Sequence, residues 1–165
     1  KALATTREDG RFRLEGLRTL GEVQLAAFSD DGMRAVAVKC DPDDWPRLHH
    51  TRPARGETNQ LDLVMTLEPL AALAGEVVDR DDWPVAGAQV EVTTYRIQDS
   101  PSLPRQVRLR VTTLTTQEGA WHIEGLIAGL EYRVYAYDPA TRDPGMPEKI
   151  VPSSAETQWL RLQMR

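Results

Sequence analysis

The sequence predicts an all-β protein made of antiparallel sandwiches, and three observations support this. Wherever the 165-residue chain is periodic, apolar and polar residues alternate with period two, which is typical of strands that bury one face. Asp, Gly, Ser and Pro separate these runs at short intervals and predict turns. Helical periodicity is confined to residues 67–73, where Pro69 interrupts it. Short strands without a convincing helix favour packed antiparallel sheets.

Each predicted strand is supported by the same pattern, in which every second residue is apolar and β-branched or aromatic residues are frequent. Residues 90–97 extend this pattern into a longer strand with one polar face. In chain order the predicted strands are residues 61–67 (LDLVMTL), 73–78 (LAGEVV), 90–97 (VEVTTYRI), 107–112 (VRLRVT), 132–137 (YRVYAY) and 160–165 (LRLQMR).

One segment of the chain occurs twice. Residues 8–17 (EDGRFRLEGL) recur 109 positions later as residues 117–126 (QEGAWHIEGL). Each copy predicts a turn, a short strand with an aromatic and an aliphatic residue on one face, and a second turn. Self-similarity over a long interval indicates duplicated units. We therefore expect two domains, residues 1–69 and 70–165, with the boundary at Pro69.

Composition and charge exclude several classes of protein. The chain is 41% hydrophobic and 27% charged, as expected of a globular protein, and its net charge of -5 leaves no basic surface for nucleic acid. No apolar run approaches the ~20 residues of a membrane span, and no signal peptide begins at Lys1. Cys40, the single cysteine, has no internal disulfide partner and is expected to pack as a small apolar residue at a strand end.

A series of motifs in the second half resembles the carboxypeptidase regulatory-like family. The resemblance covers most of residues 71–165 and implies a transthyretin-like (Ig-like) β-sandwich of seven antiparallel strands. The chain departs from the family at Asp82 and Trp83, where members commonly carry an Asn-Gly or Asp-Gly turn. The motifs, in order, are residues 75–79 (GEVVD), 83–92 (WPVAGAQVEV), 115–126 (TTQEGAWHIEGL) and 129–136 (GLEYRVYA).

The first domain matches only the later half of this pattern. Residues 5–17 align with residues 114–126, and residues 61–67 correspond to the last strand of the second domain. The opening strands of the family have no counterpart after Lys1. We therefore expect residues 1–69 to be a partial sandwich, incomplete at its N-terminus, within a longer tandem array, and residues 70–165 to be a complete one.

Two Asp-Asp-Trp-Pro turns are the best candidates for a binding site. They contain Asp44 and Trp45 in the first domain and Asp82 and Trp83 in the second. Sugar-binding surfaces use exposed Trp beside carboxylates, because the indole stacks on a pyranose ring while Asp accepts from its hydroxyls. Packing between domains is the alternative role for both indoles. Trp121 and Trp159 are instead expected in the core.

The sequence predicts no catalytic residue, metal or cofactor. The acidic turns at residues 41–44 and 79–82 lack the alternating ligands of a calcium loop. His49 and His50 are adjacent, so their rings cannot easily share an iron ion, and His122 lies on the polar face of a predicted strand. No serine lies in a nucleophile elbow and no glycine-rich phosphate loop is present.

The function predicted from the sequence is a non-catalytic structural or protein-interaction module of a larger bacterial protein. Its partners would be other domains or subunits of the parent assembly. The family resemblance alone implies an extracytoplasmic location, periplasmic or at the cell surface. The alternative is a carbohydrate-binding module that holds a glycan through Trp45 or Trp83 and the neighbouring Asp44 or Asp82.

Overall fold

The computed structural model describes residues 4–12, 23–40, 64–94, 107–138, 140–141 and 144–164. Contacts between residues divide the chain into two compact units, one formed by Gln24–Val38 with Val64–Arg165 and the other by Lys1–Val23 with Lys39–Leu63. The described residues form ten strands and no helix, which confirms the all-β prediction. The strands are β1 (Val23–Phe28), β2 (Arg34–Cys40), β3 (Glu68–Pro69), β4 (Ala71–Val78), β5 (Gln89–Thr93), β6 (Arg110–Leu114), β7 (Ala120–Leu126), β8 (Tyr132–Tyr137), β9 (Glu148–Ile150) and β10 (Gln158–Gln163).

The strands are arranged in three sheets. A three-stranded sheet has the order β10-β4-β7, a four-stranded sheet has the order β6-β5-β8-β9, and β1, β2 and β3 form a third. The pairs β4–β7, β5–β6, β5–β8 and β8–β9 are antiparallel, as predicted, but β10 pairs parallel with β4. The prediction of purely antiparallel sheets was therefore wrong, because the last strand lies beside β4 in the same direction.

The core lies between the three-stranded and four-stranded sheets. The period-two alternation brings every second residue of β4 and β8 inward, and Trp121 of β7 is only 4% exposed, as predicted. Burial of each Val, Leu or Ile side chain stabilises the fold by about 1.5–3 kcal/mol. Fully or almost fully buried are Leu73, Val77, Val90, Val92, Ile123, Leu126, Leu130, Tyr132, Val134, Ala136 and Leu162.

The β1–β2 hairpin packs against this core. Ala35 and Ala37 of β2 are buried in the same apolar cluster as the two sheets, and Phe28 of β1 packs against it. The Ala37 N–H donates to the Ala128 carbonyl over 3.1 Å. Residues that precede the expected boundary at Pro69 therefore complete the core of the residues that follow it.

The turn of the repeated segment is present in both copies. Gly10 donates its N–H to the Arg7 carbonyl (2.9 Å), and Gly119 donates to the Thr116 carbonyl (3.1 Å). Arg7 and Thr116 each donate to the residue four positions further on, over 2.9 and 2.8 Å. Both glycines have positive φ, 75° and 73°, which other residues rarely adopt. The strand of the second copy is β7. In the first copy Arg11 and Phe12 are not in a sheet, and residues 13–17 are outside the described residues.

Five of the six predicted strands differ in extent from those observed. Strand β4 begins two residues before predicted strand 73–78, and β10 is displaced by two residues from predicted strand 160–165. Residues 64–67, the described part of predicted strand 61–67, are not in a sheet, and the short β3 follows them. Strand β6 begins three residues later than predicted for residues 107–112, because the Arg108 N–H donates to Gly125 of β7 rather than to β5. Residues 95–97 of predicted strand 90–97 are outside the described residues.

Candidate functional site

The structure describes one of the two predicted Asp-Asp-Trp-Pro turns. Asp82 and Trp83 lie in the turn after β4, and Trp83 is 70% exposed, as predicted. Asp44 and Trp45 lie outside the described residues. The candidate site is therefore the region around Asp82 and Trp83.

Asp79 organises the turn that presents Trp83. One oxygen of its side chain, Oδ1, accepts hydrogen bonds from the N–H groups of Asp81 and Trp83, both over 2.9 Å. The Asp79 N–H donates to the Trp83 carbonyl over 2.9 Å. These bonds hold Asp82 at a φ of 65°, the left-handed region that Gly favours in the family's usual turn. The departure at Asp82 is therefore accommodated by hydrogen bonds to Asp79.

Arg161 ties this turn to β10. Its Nε lies 3.1 Å from Oε1 of Glu76, and its NH2 lies 3.0 Å from Oδ1 of Asp82. Glu76 stands directly opposite Arg161 in the β4–β10 register. All three side chains are partly exposed, so the pairs contribute little to stability, at most about 1 kcal/mol each. Their effect is positional, because the guanidinium is held between two carboxylates.

Trp159 extends the same surface. It lies two residues before Arg161 on β10 and is 63% exposed, so the prediction that it packs in the core was wrong. Leu160 and Leu162 face the core, which places Trp159 in phase with Arg161 on the opposite face. Alternation was expected to turn Trp159 toward the core, but Leu160 and Leu162 occupy the core phase of β10.

The middle of this surface is flat. Ala74 of β4 stands between Trp159 of β10 and His122 of β7 in the pairing register, and its methyl group leaves space above the sheet. His122 is half exposed, as predicted, with its Nε2 3.8 Å from Oε1 of Glu124. We call the solvent side of the β10-β4-β7 sheet, with the turn at Asp82 and Trp83, the outer face. It offers indole faces for stacking and polar groups for hydrogen bonding.

A concave region lies apart from this flat surface. A cleft of about 260 Å³ is lined by Asp79, Arg80, Asp81 and Asp138, with Val85 and Met164. Hydrogen bonds from the Thr141 and Ala140 N–H groups lower the pKa of Asp138, whose carboxylate therefore closes a local turn. Among the described residues no three His, Cys, Asp or Glu side chains are grouped so that they could hold a metal ion.

No helix in the described part of the chain is long and apolar enough to cross a membrane.

No family model matches this chain, and no curated protein matches it. Among solved structures, the Bacillus anthracis TIE protein is 17% identical with a TM-score of 0.39, over 57% of this chain and 16% of that protein. BcpA, the major pilin subunit of Bacillus cereus, is 14% identical with a TM-score of 0.40, over 91% and 39% of the two chains. The chain therefore spans less than half the length of either protein.

The dioxygenase domain of a dioxygenase and carbohydrate-binding protein fusion from Streptomyces sp. SirexAA-E is also similar. It is 16% identical with a TM-score of 0.41, over 68% of this chain and 95% of that domain. Similarities with TM-scores this low do not assign the chain to the family of either the pilin or the dioxygenase domain.

Proposed function

We propose that this chain is a non-catalytic structural and protein-interaction module of a larger, extracytoplasmic protein. The observation that carries the proposal is the docking of the β1–β2 hairpin. Ala35 and Ala37 are buried in the core that both sheets of the sandwich share, and Ala37 is hydrogen-bonded to Ala128. Because the hairpin and the sandwich share a core, they form one rigid body. A spacer or assembly surface needs such rigidity to hold the adjoining domains at a fixed distance.

The module would consist of tandem units, residues 1–69 and 70–165, of the carboxypeptidase regulatory-like type. Two observations support this proposal. The turns at Gly10 and Gly119 have the same hydrogen bonds 109 residues apart. The three-stranded and four-stranded sheets that share the core correspond to the seven strands of a transthyretin-like sandwich. The extracytoplasmic location rests on the family resemblance.

Unfolding monitored at two places tests the docking. A dye is attached to Cys in a Met33→Cys, Cys40→Ser chain, where Met33 is exposed at the hairpin tip. Tryptophan emission reports exposure of Trp121 in the sandwich. We expect the dye and the tryptophans to give the same urea midpoint, because coincident transitions mark one cooperative unit. A Glu118→Cys, Cys40→Ser chain, labelled on a sandwich turn, is the control. A hairpin transition at lower urea with the sandwich intact would overturn the proposal.

Two further measurements test the remaining parts of the proposal. Stoichiometric iron or zinc in the purified protein would contradict the non-catalytic assignment. Fractionation of the source cells, followed by detection with an antibody to this chain, tests its location. We expect recovery from the envelope or the medium, and confinement to the cytosol would contradict the extracytoplasmic assignment.

The second candidate function is carbohydrate binding at the outer face. The specific observation is that Trp83 and Trp159 are both exposed, and that the ion pairs of Arg161 with Asp82 and Glu76 link the turn of the first to the strand of the second. Trp159 is paired with Ala74 of β4. Pro84, the residue after Trp83, is paired with Val78 at the end of the same strand. Four residues of β4 therefore separate these two pairs, roughly 13 Å at the usual rise of a strand. Two indoles at this separation would stack on different sugars of one glycan.

A glycan array separates the two candidates. Carbohydrate binding predicts a signal that Trp83→Ala and Trp159→Ala each reduce. Leu114→Ala, which removes an exposed apolar side chain from the four-stranded sheet, is the matched control and should leave the signal unchanged. An interaction module predicts no sugar signal with any of these proteins.

A further inference from the structure

Among the described strands, β10 lies at one edge of the three-stranded sheet. The Met164 N–H donates to the Val78 carbonyl over 2.8 Å, so even-numbered residues of β10 direct their main-chain groups toward β4. The N–H and C=O groups of the odd-numbered Trp159, Arg161 and Gln163 therefore point away from the sheet. Within the described residues these outward groups have no main-chain partner. They present an extended row of donors and acceptors.

This edge lacks the features that usually prevent strand addition. Proteins protect edges with proline, bulges or charged side chains. The β10–β4 register is continuous, and β10 contains no proline. Its only charged residue, Arg161, is paired with Glu76 and Asp82 on the β4 side. Beside it, Trp159 exposes 63% of its surface, an apolar area that association would cover.

We propose that β10 pairs antiparallel with β10 of a second copy of this chain. The two-fold axis passes between the Leu160 residues of the two copies, so that Trp159 stands opposite the partner's Arg161 and Arg161 opposite the partner's Trp159. The two sheets then form one continuous sheet, β7-β4-β10-β10-β4-β7. This inference rests on the proposed interaction module and names its partner.

Five registers join outward-facing groups, centred on residues 159 to 163. The three centred on Arg161, Leu162 and Gln163 all use the main chain of Gln163, whose carbonyl lies beside Gly145, where a Cβ would come within 3.3 Å of it. Centring on Arg161 places two guanidinium groups opposite one another, which is unfavourable. If the two-fold axis passes between the Trp159 residues, only those two residues form a hydrogen-bonded pair within β10. Centring on Leu160 gives two Trp–Arg pairs and about four main-chain hydrogen bonds, two for each pair. Glu76 and Asp82 hold each guanidinium on the β4 side, so the partner's indole lies beside the apolar stem of Arg161.

The core face supports the same register. Leu160 is half-buried and packs against the core from its rim. In the proposed pair it meets the partner's Leu160 directly, so the exposed remainder of both side chains is covered. An isologous contact of this kind closes on itself and gives a dimer rather than a filament.

Sedimentation equilibrium of the full chain over a range of concentrations provides the first test. We expect reversible dimerisation. Arg161→Pro removes an N–H that points away from β4, so it should abolish the dimer while leaving the β10–β4 ladder in place. Arg161→Ala keeps that N–H and should weaken dimerisation about tenfold, because the apolar stem of Arg161 no longer covers the partner's indole in either half of the dimer. A wild-type chain that stays monomeric at all concentrations would overturn the proposal. It would do so even if a strand of a different protein pairs with β10.

Cross-linking tests the register without proline. In a Cys40→Ser background, Leu160→Cys should give a disulfide-linked dimer on oxidation with copper phenanthroline, since the two cysteines would face each other. Arg161→Cys, whose counterpart would be the partner's Trp159, should not. Equal cross-linking of both variants, or of neither, would refute this register. The urea unfolding test of the hairpin can be done on a monomer. A chain that does not dimerise would therefore refute only this inference, whereas early unfolding of the hairpin would refute the proposed module.

Discussion

The buried hydroxyl of Tyr132 is expected to stabilise the sandwich measurably. Tyr132 is 0% exposed, its O–H donates to the Arg108 carbonyl over 2.9 Å, and its oxygen accepts from the Ile127 N–H over 3.1 Å. The hydroxyl thereby joins the segment before β6 to the turn between β7 and β8. Tyr132→Phe keeps the ring and removes both hydrogen bonds.

The size of the effect depends on what each lost partner can do instead. Ile127 is fully buried, so its N–H cannot bond to water, and leaving it unsatisfied costs about 1–3 kcal/mol. Arg108 is exposed, so its carbonyl recovers part of its hydrogen bonding from solvent. We expect a total loss of about 2 kcal/mol in the free energy of unfolding. This corresponds to a drop of roughly 1 M in the urea midpoint.

Equilibrium urea unfolding at pH 7, followed by tryptophan emission, measures this loss. The slope of the free energy with urea should be unchanged, because the ring still fills its place in the core. A loss below about 0.5 kcal/mol at an unchanged slope would show that neither hydrogen bond matters and would refute the reasoning.

The same residue predicts a dependence on alkaline pH. Burial raises the pKa of Tyr132 above its ordinary value of 10.0, although the hydrogen bond from Ile127 opposes this. Because the folded-state pKa is the higher one, the contribution to stability is complete below pH 10.0 and is lost as the pH rises above it. We expect the wild type to lose stability more steeply than Tyr132→Phe above this pH. Equal slopes for the two proteins would contradict the prediction.

Two other changes should have effects of known direction. Gly75→Ala should lower the free energy of unfolding by about 3 kcal/mol or prevent folding, because a Cβ there would overlap the Leu160 main chain. A urea midpoint close to that of the wild type would disprove this close approach. Hydrogen bonds from the Ser29 hydroxyl and then the Met33 N–H lower the pKa of Asp31, so its contribution is present above its ordinary pKa of 3.8 and lost as the pH falls. The stability difference between wild type and Asp31→Asn should therefore shrink in acid, and a difference independent of pH would refute this.

Local patterns in the sequence predicted part of this structure well. The alternation in residues 132–137 matches β8 to the residue, because one face of that strand is buried along its whole length. The exposed Trp83 followed from its place among turn residues. Trp159 was expected to alternate into the core, but Leu160 and Leu162 hold that phase and Trp159 lies on the opposite face of β10.

Contacts distant in the sequence could not be predicted in this way. Nothing in the residues around Ala37 indicates that its N–H meets Ala128, 91 positions later. The parallel direction of β10 depends on the path of the whole chain rather than on its own pattern. The ion pairs of Arg161 follow from that direction, because Glu76 and Asp82 come within reach only when β10 lies beside β4. The sequence therefore indicated the outer face only at Asp82, Trp83 and His122.

The parallel pairing of β4 and β10 determines how the sandwich would respond to a mechanical load. The chain enters β4 at Ala71 and leaves β10 at Gln163, which lie at opposite ends of the pair. Tension along the chain therefore slides the two strands past each other and strains all of their hydrogen bonds together. An antiparallel hairpin under the same tension would open one bond at a time. The strand direction that the sequence did not reveal gives this sandwich resistance to being pulled apart end to end.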